Sequence, residues 1–358
     1  MSQDKGTVTV VLGMHRSVTS AITKALEIFG VDLGDDLLKP MSCNEKGFWE
    51  DASCVEINEK LLQHYNASYH KFNFDLTQLD FSSNSNVMHL KRLAVRLVLD
   101  RLKQGNGEWG LKDPRLCRLL PFWKEVFGEI GCKVKYVIAI RNPMNVAASL
   151  LKRDNFPVQK SYYLWLRHLL PVLKETENEL RVIVDFDSLL ECPIEQVCRI
   201  ASALSFDIPR QGDPTLNVYI DEFLDNRLRH TKFSIEELES DSFAPSEAIT
   251  LYKMLARVAQ DKLQLNDIEA QLVIESLKQK NNTLTPALDC AEYLQHKLDE
   301  ARGEFFNSIK RSAELTELLA ESNLNVNNLK SDLYEKNIQE NKLKYELQSA
   351  LDDMLCIT

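Results

Sequence analysis

Residues 8–26 read VTVVLGMHRSVTSAITKAL. An apolar run from Thr7 to Leu12 meets a polar turn holding Arg16, Ser17, Thr19 and Ser20, and a helical pattern follows. A helix starting near Ser17 presents unpaired backbone N–H groups and the positive end of its dipole to the turn. With the hydroxyls and a guanidinium beside it, such a turn is a seat for a phosphate or sulfate. The seat has one irregularity. Val18 stands where glycine, which tolerates positive φ and lets a ligand approach the backbone, serves best. Valine is β-branched and poor at positive φ, so the pattern predicts a negative, helical φ at Val18. A capped helix after a buried strand explains the same residues without any ligand.

Three further apolar runs lie along the chain: Glu108 to Leu111, Val134 to Ile140 and Val182 to Phe186. Amphipathic stretches at 17–29, 116–128, 143–153, 159–176 and 193–204 separate or follow them. Strands alternating with helices predict an α/β fold, a central parallel sheet covered on both faces. Ligands of such sheets gather at the carboxyl ends of the strands. His15 and Arg16, Lys112 to Arg115, and Arg141 all fall there. Each alone reads as a strand-end ion pair; together they pool positive charge in one crevice. Residues 66–90, polar and turn-rich, read as a lid or substrate-side insertion.

The net charge of −10 over 358 residues argues against a nucleic-acid face, which must be basic. No run of 18 apolar residues is present, so no membrane span is expected. The N-terminal apolar run is too short for a signal peptide. Eight cysteines without a CxxC pair fit reduced thiols and a cytoplasmic location.

A helical segment is expected at 234–285. From Ala291 onward a 3,4 spacing is sustained to the end of the chain, with apolar residues at 14 of 19 core positions and Ser308, Ser312, Ser322, Lys336 and Glu340 at the others. This predicts a coiled coil, and with it a homo-oligomer or a partner protein. A long helix folded back on the domain is the alternative. The tail, 13 acidic and 8 basic residues, carries half of the net charge.

The ordered set GMHRSxTS (13–20), NEKGFWED (44–51), KDPRL (112–116), RNPxxxxxS (141–149) and VDFDSLLECP (184–193) resembles the sulfotransferase family, especially its bacterial and Golgi-type branches, over roughly residues 7–230. The resemblance implies the P-loop-like sulfotransferase fold, and 3′-phosphoadenosine 5′-phosphosulfate (PAPS) as donor, with no metal. Together with the helical and heptad patterns, the chain is expected to divide into a catalytic domain at 1–233, a helical extension at 234–285 and the coil at 286–358. By the match, Arg16, Ser17, Thr19 and Ser20 would hold the 5′-phosphosulfate, and Arg141 and Ser149 the 3′-phosphate. Arg229, in FLDNRLRH (223–230), would close over the nucleotide with Arg227 and His230. Sulfuryl transfer spreads negative charge over the moving group and leaving oxygen. Arg16 and Lys112 suit that charge, and Glu50 suits the base for a hydroxyl acceptor, expected to be a carbohydrate. Asp51 and His15 are the other candidates for the base.

Two rival functions remain. A P-loop kinase using ATP needs a lysine in the phosphate loop and carboxylates for magnesium; there is no G-x-x-x-x-G-K-S/T, and Arg16 stands in the lysine's place. A catalytically inactive coiled-coil scaffold has Val18 as its best argument.

Overall fold

The computed structural model describes residues 5–41, 46–72, 81, 84–210, 212–224 and 232–355, the side chains of 351–355 excepted. Its contacts divide the chain into two units, Met1–Asp289 and Cys290–Thr358.

The first unit is built on four parallel strands, β1 (Thr7–Leu12), β2 (Glu108–Lys112), β3 (Lys133–Ile140) and β4 (Leu180–Asp185), in the order β2-β1-β3-β4. The parallel α/β sheet expected from strand–helix alternation is therefore present. The register pairs Val11 with Lys112, Leu12 with Ile138, and Ile140 with Asp185. All four carboxyl ends consequently finish at one edge.

Every residue of β1 is buried, as a central parallel strand requires. Val8, Val10 and Leu12 face one core, with Tyr136, Ile138 and Ile140 of β3 beside them. Helices α2 (Ala52–His64), α3 (Ser85–Gln104), α4 (Leu116–Ile130) and α6 (Val158–Glu175) complete that side. The alternate residues Val11, Val137, Ala139 and Val184 face a second core closed by α1 (Thr19–Ala25), its continuing 3-10 turn at Leu26–Phe29, and α8 (Pro193–Leu204). Each fully buried aliphatic side chain contributes on the order of 1.5–3 kcal/mol.

Two helices depart from the sequence reading. Neither α2 nor α3 stands out as a periodic stretch, and residues 85–90, read as part of an insertion, form the first turns of α3 with Val87 and Leu90 buried. The polar residues that suggested a loop are its cap: the Asn84 side chain accepts from the N–H groups of Asn86 and Val87. Most of the remaining insertion lies outside the described residues.

After β3 the chain runs into α5 (Pro143–Asp154), and after β4 into α7 (Phe186–Glu191). Farther on, α10 (Ile235–Ser240), α11 (Ser246–Ala259) and the start of α12 (Ile268–Leu355) add Leu238, Leu251, Leu255, Ala270 and Leu277 to the first core. A short α9 (Pro214–Val218) packs Leu216 beside α1. The second unit is the helical chain of α12 from Cys290, and from 291 to 350 every residue but Glu292 is exposed. Among the described residues no helix is long and apolar enough to cross a membrane, and Cys54, Cys117, Cys132, Cys192, Cys198 and Cys290 are free thiols.

Candidate active site

The candidate site residues gather where β1, β2 and β3 end. Gly13 must be glycine for a contact reason: a Cβ there would lie 2.9 Å from the Ala139 carbonyl oxygen and 2.9 Å from the Thr19 methyl. Its N–H donates to Cys117 Sγ at 3.0 Å, tying the turn to α4. The turn then closes with Ser17 N–H donating to the Met14 carbonyl.

Val18 is where the structure corrects the sequence reading. It has φ 61 and ψ 30, left-handed rather than helical, and it precedes α1 as an N-cap without a side-chain bond. Arg16 is left-handed too, at φ 69. Helix α1 therefore begins at Thr19, two residues beyond the expected start. The turn takes the conformation that glycine would favour, with valine in it. Its side chain is half-buried against the second core, and this contact offsets part of a left-handed cost of about 1–2 kcal/mol.

The turn and the end of β3 meet. Arg16 Nε donates to Ser149 Oγ at 2.7 Å, and Arg141 Nη1 donates to the Arg16 carbonyl at 3.1 Å. The Arg141 guanidinium also lies 4.7 Å over the Phe186 ring, an arrangement that restricts its rotation. Pro143 begins α5 and Asn142 caps it, so Ser149 returns to the crevice two turns on. Ser17 Oγ is buried and has no hydrogen-bond partner among the described residues. Asn145, at the start of α5, is buried with both amide atoms likewise unmatched. The sequence reading passed over Asn145, although its place in RNPMN, four residues after Arg141, could have marked it.

The segment 46–50 supplies the opposite wall. Ser20 Oγ donates to the Phe48 carbonyl at 3.1 Å, which ties the turn to Glu50. Lys112, only 2% exposed at the end of β2, donates to Glu50 Oε1 at 2.7 Å, and Arg115 Nη1 lies 3.7 Å from Glu50 Oε2. Burial pushes the Glu50 carboxyl up, against the downward pull of the Lys112 ammonium. Behind this pair, Arg115 bonds Asp113 and Glu59, Asn58 bonds Asp113 at 2.8 Å, and Trp123 Nε1 donates to Asn58. No periodic or motif signal reveals that chain, because Asn58 and Trp123 lie on separate helices.

Asp51 is committed elsewhere. It caps α2 through Cys54 N–H and accepts from Arg101 Nε at 2.6 Å, so its role is structural rather than that of a second base. His15, the other candidate for the base, has its Nε2 buried without a partner among the described residues, and its ring packs 4.3 Å from that of Tyr69. Burial, with Arg115 and His168 nearby, holds its pKa well down. His168 lies 6.3 Å beyond, its Nδ1 against the Leu164 carbonyl, and burial lowers it to about 3. Arg227, Arg229 and His230 lie outside the described residues. Arg16, Ser17, Thr19, Ser20, Arg141 and Ser149 thus gather on one side, and Glu50 and Lys112 on the other.

No protein-family model matches the chain, and no curated protein matches it at a significant level. Among solved structures, the sulfotransferase domain from the Synechococcus PCC 7002 olefin synthase is similar at 16% identity, covering 76% of this chain and 94% of that domain, with a TM-score of 0.39. A sulfotransferase domain from the curacin biosynthetic pathway is similar at 11% identity, over 76% of this chain and 98% of its own, with a TM-score of 0.38.

Proposed function

We propose that the chain is a sulfotransferase that moves a sulfuryl group from PAPS to a hydroxyl acceptor of carbohydrate type, and that its tail forms a coiled coil. The observation that carries the reading is the Arg16–Ser149 and Arg141–Arg16 pair of bonds. Two sequence motifs more than a hundred residues apart converge there on one strand-end crevice, where ligands of parallel sheets bind. The buried, unmatched Ser17 hydroxyl supports an anion in the turn.

In this reading Arg16 and Ser17 bind the 5′-phosphosulfate, with Thr19 and Ser20 shaping the turn. Arg141 and Ser149 bind the 3′-phosphate, and Arg229 covers the nucleotide. The acceptor oxygen bonds sulfur as the sulfur–oxygen bond to the 5′-phosphate breaks, and the acceptor proton passes to Glu50. A carboxylate raised by burial is the stronger base. Lys112 steadies Glu50 and, with Arg16, the charge on the leaving phosphate.

Isothermal titration with adenosine 3′,5′-bisphosphate and with ADP tests this. Binding of the bisphosphate without magnesium is expected. Preference for ADP with magnesium would make the protein a kinase. Absence of binding would favour an inactive scaffold, which the strained valine in the anion turn also favours.

A further inference from the structure

The tail presents an apolar seam to solvent. Leu294, Leu315, Leu329 and Leu347 are 59–67% exposed, all on one helix and on the same 3,4-spaced seam. We propose that a second copy of this chain covers the seam in antiparallel orientation, in the register that sets Ala291 beside the partner's Ala350. The proposal rests on the coiled-coil reading above and adds to it an orientation and a register.

With Ala291 at position a and Leu294 at d, the flanking e positions include Arg302, Lys330 and Lys344. The flanking g positions include Lys297, Glu304, Arg311, Asp332 and Glu346. In a parallel pair in register, each g residue faces the partner's e residue five positions on. Lys297 then opposes the partner's Arg302, and no g–e′ pair carries opposite charges. The polar core residues stack on themselves, Lys336 on the partner's Lys336 and Glu340 on the partner's Glu340, relieved only by Lys336 reaching the partner's Glu340.

In an antiparallel pair, g faces g and e faces e. The proposed register sets Lys297 against the partner's Glu346, and Arg311 against the partner's Asp332. It also resolves the two charged core positions. A d residue inserts beside the partner's a and g residues, which brings Lys336 to the partner's Glu304. An a residue inserts beside the partner's d and e residues, which brings Glu340 to the partner's Arg302. The two-fold axis repeats all four attractive pairs. Leu294 meets the partner's Leu347, Leu298 the partner's Leu343, and Leu315 the partner's Val326.

Sliding by one heptad destroys the match. In one direction Glu304 opposes the partner's Asp332 and Arg302 the partner's Lys330. In the other, Glu304 opposes the partner's Glu346, Arg302 the partner's Lys344 and Lys336 the partner's Arg311, against the one attractive pair of Lys297 with the partner's Asp353. Like charges across a coiled-coil interface select against such alternatives. In the single chain Lys297 bonds Glu300 and Lys344 bonds Glu340, both exposed contacts along one helix that cost little to exchange.

The full-length chain tests this by sedimentation. Lys297→Glu is expected to weaken the dimer about tenfold, and adding Glu346→Lys to restore it. A parallel pair reverses the sign, since Lys297→Glu would then attract the partner's Arg302 and tighten the dimer; that result overturns the orientation. Disulfide trapping gives a second readout, with Cys192, Cys290 and Cys356 replaced by serine. A mixture of Leu294→Cys and Leu347→Cys chains is expected to yield the mixed dimer. Homodimers linked through position 294 overturn the proposal while leaving the coiled coil intact. A chain that stays monomeric at high concentration overturns both.

Discussion

Among the contacts of the described residues, the two sides of the strand-end site hold their cations differently. On the β1 and β3 side, Arg16 bonds a serine hydroxyl, and Arg141 bonds a carbonyl and lies over an aromatic ring. On the β2 side, Lys112 and Arg115 bond the carboxylates of Glu50, Asp113 and Glu59. A buried carboxylate that loses its cation has nowhere to place its charge, whereas a hydroxyl or carbonyl loses one hydrogen bond. The β2 side should therefore govern stability, and the β1–β3 side ligand affinity.

The largest expected effect tests the β2 side. Lys112→Met leaves the buried Glu50 only the longer Arg115 contact at 3.7 Å and should cost about 3 kcal/mol of stability in urea denaturation. Adding Glu50→Gln should recover most of it, because an uncharged amide replaces a carboxylate that has lost its nearest cation. Equal losses in the single and double variants would mean that Lys112 stabilises by packing alone.

The histidines behind this wall set the response to acid. His168, at about 3, is held neutral chiefly by burial, with Arg118 adding to the effect. Its folded pKa lies below the unfolded value, so its contribution is complete above about 6.5 and is lost as pH falls toward 3. Relative to His168→Phe, the wild type should lose about 2–3 kcal/mol between pH 6.5 and 4.5. Parallel curves for the two proteins would remove His168 as the source.

The β1–β3 side is tested by Arg141→Ala. It should weaken binding of adenosine 3′,5′-bisphosphate by about 1.5–3 kcal/mol, roughly ten- to a hundredfold, while a donor analogue lacking the 3′-phosphate loses much less. Equal losses by calorimetry would take Arg141 away from the 3′-phosphate.

Val18→Gly should have the smallest effect. Relief of the left-handed backbone, about 1–2 kcal/mol, is opposed by glycine's extra chain entropy of about 0.5–1 kcal/mol. The net expectation is a gain of at most about 1 kcal/mol with donor affinity unchanged or slightly tighter. A clear loss in the thermal melt would mean that packing of the valine against the second core outweighs its strain.

Much of this arrangement is legible in the residues alone. The four strands, the helices after them and the basic residues at three strand ends follow from apolar runs and their breaks, because period and burial are local properties of a sequence. The misreadings share one cause. Val18 was expected to be helical because β-branched residues avoid positive φ, yet the Gly13 approach to Ala139, and the Val18 contact with the second core, come from distant parts of the chain. Helix α3 begins in residues whose polarity looks like a loop until Asn84 is seen capping it.

What the sequence determined by itself was therefore the alternation of elements, the basic residues at the strand ends and the 3,4 spacing of apolar residues in the tail. Only the tertiary structure decided which carboxylate Lys112 would hold, that Asp51 would serve Arg101 rather than an acceptor, and that Arg16 would reach Ser149. These partners stand about 50 to 130 residues apart, and their pairing depends on how strands and helices are ordered in space. Local periodicity carries no record of that order.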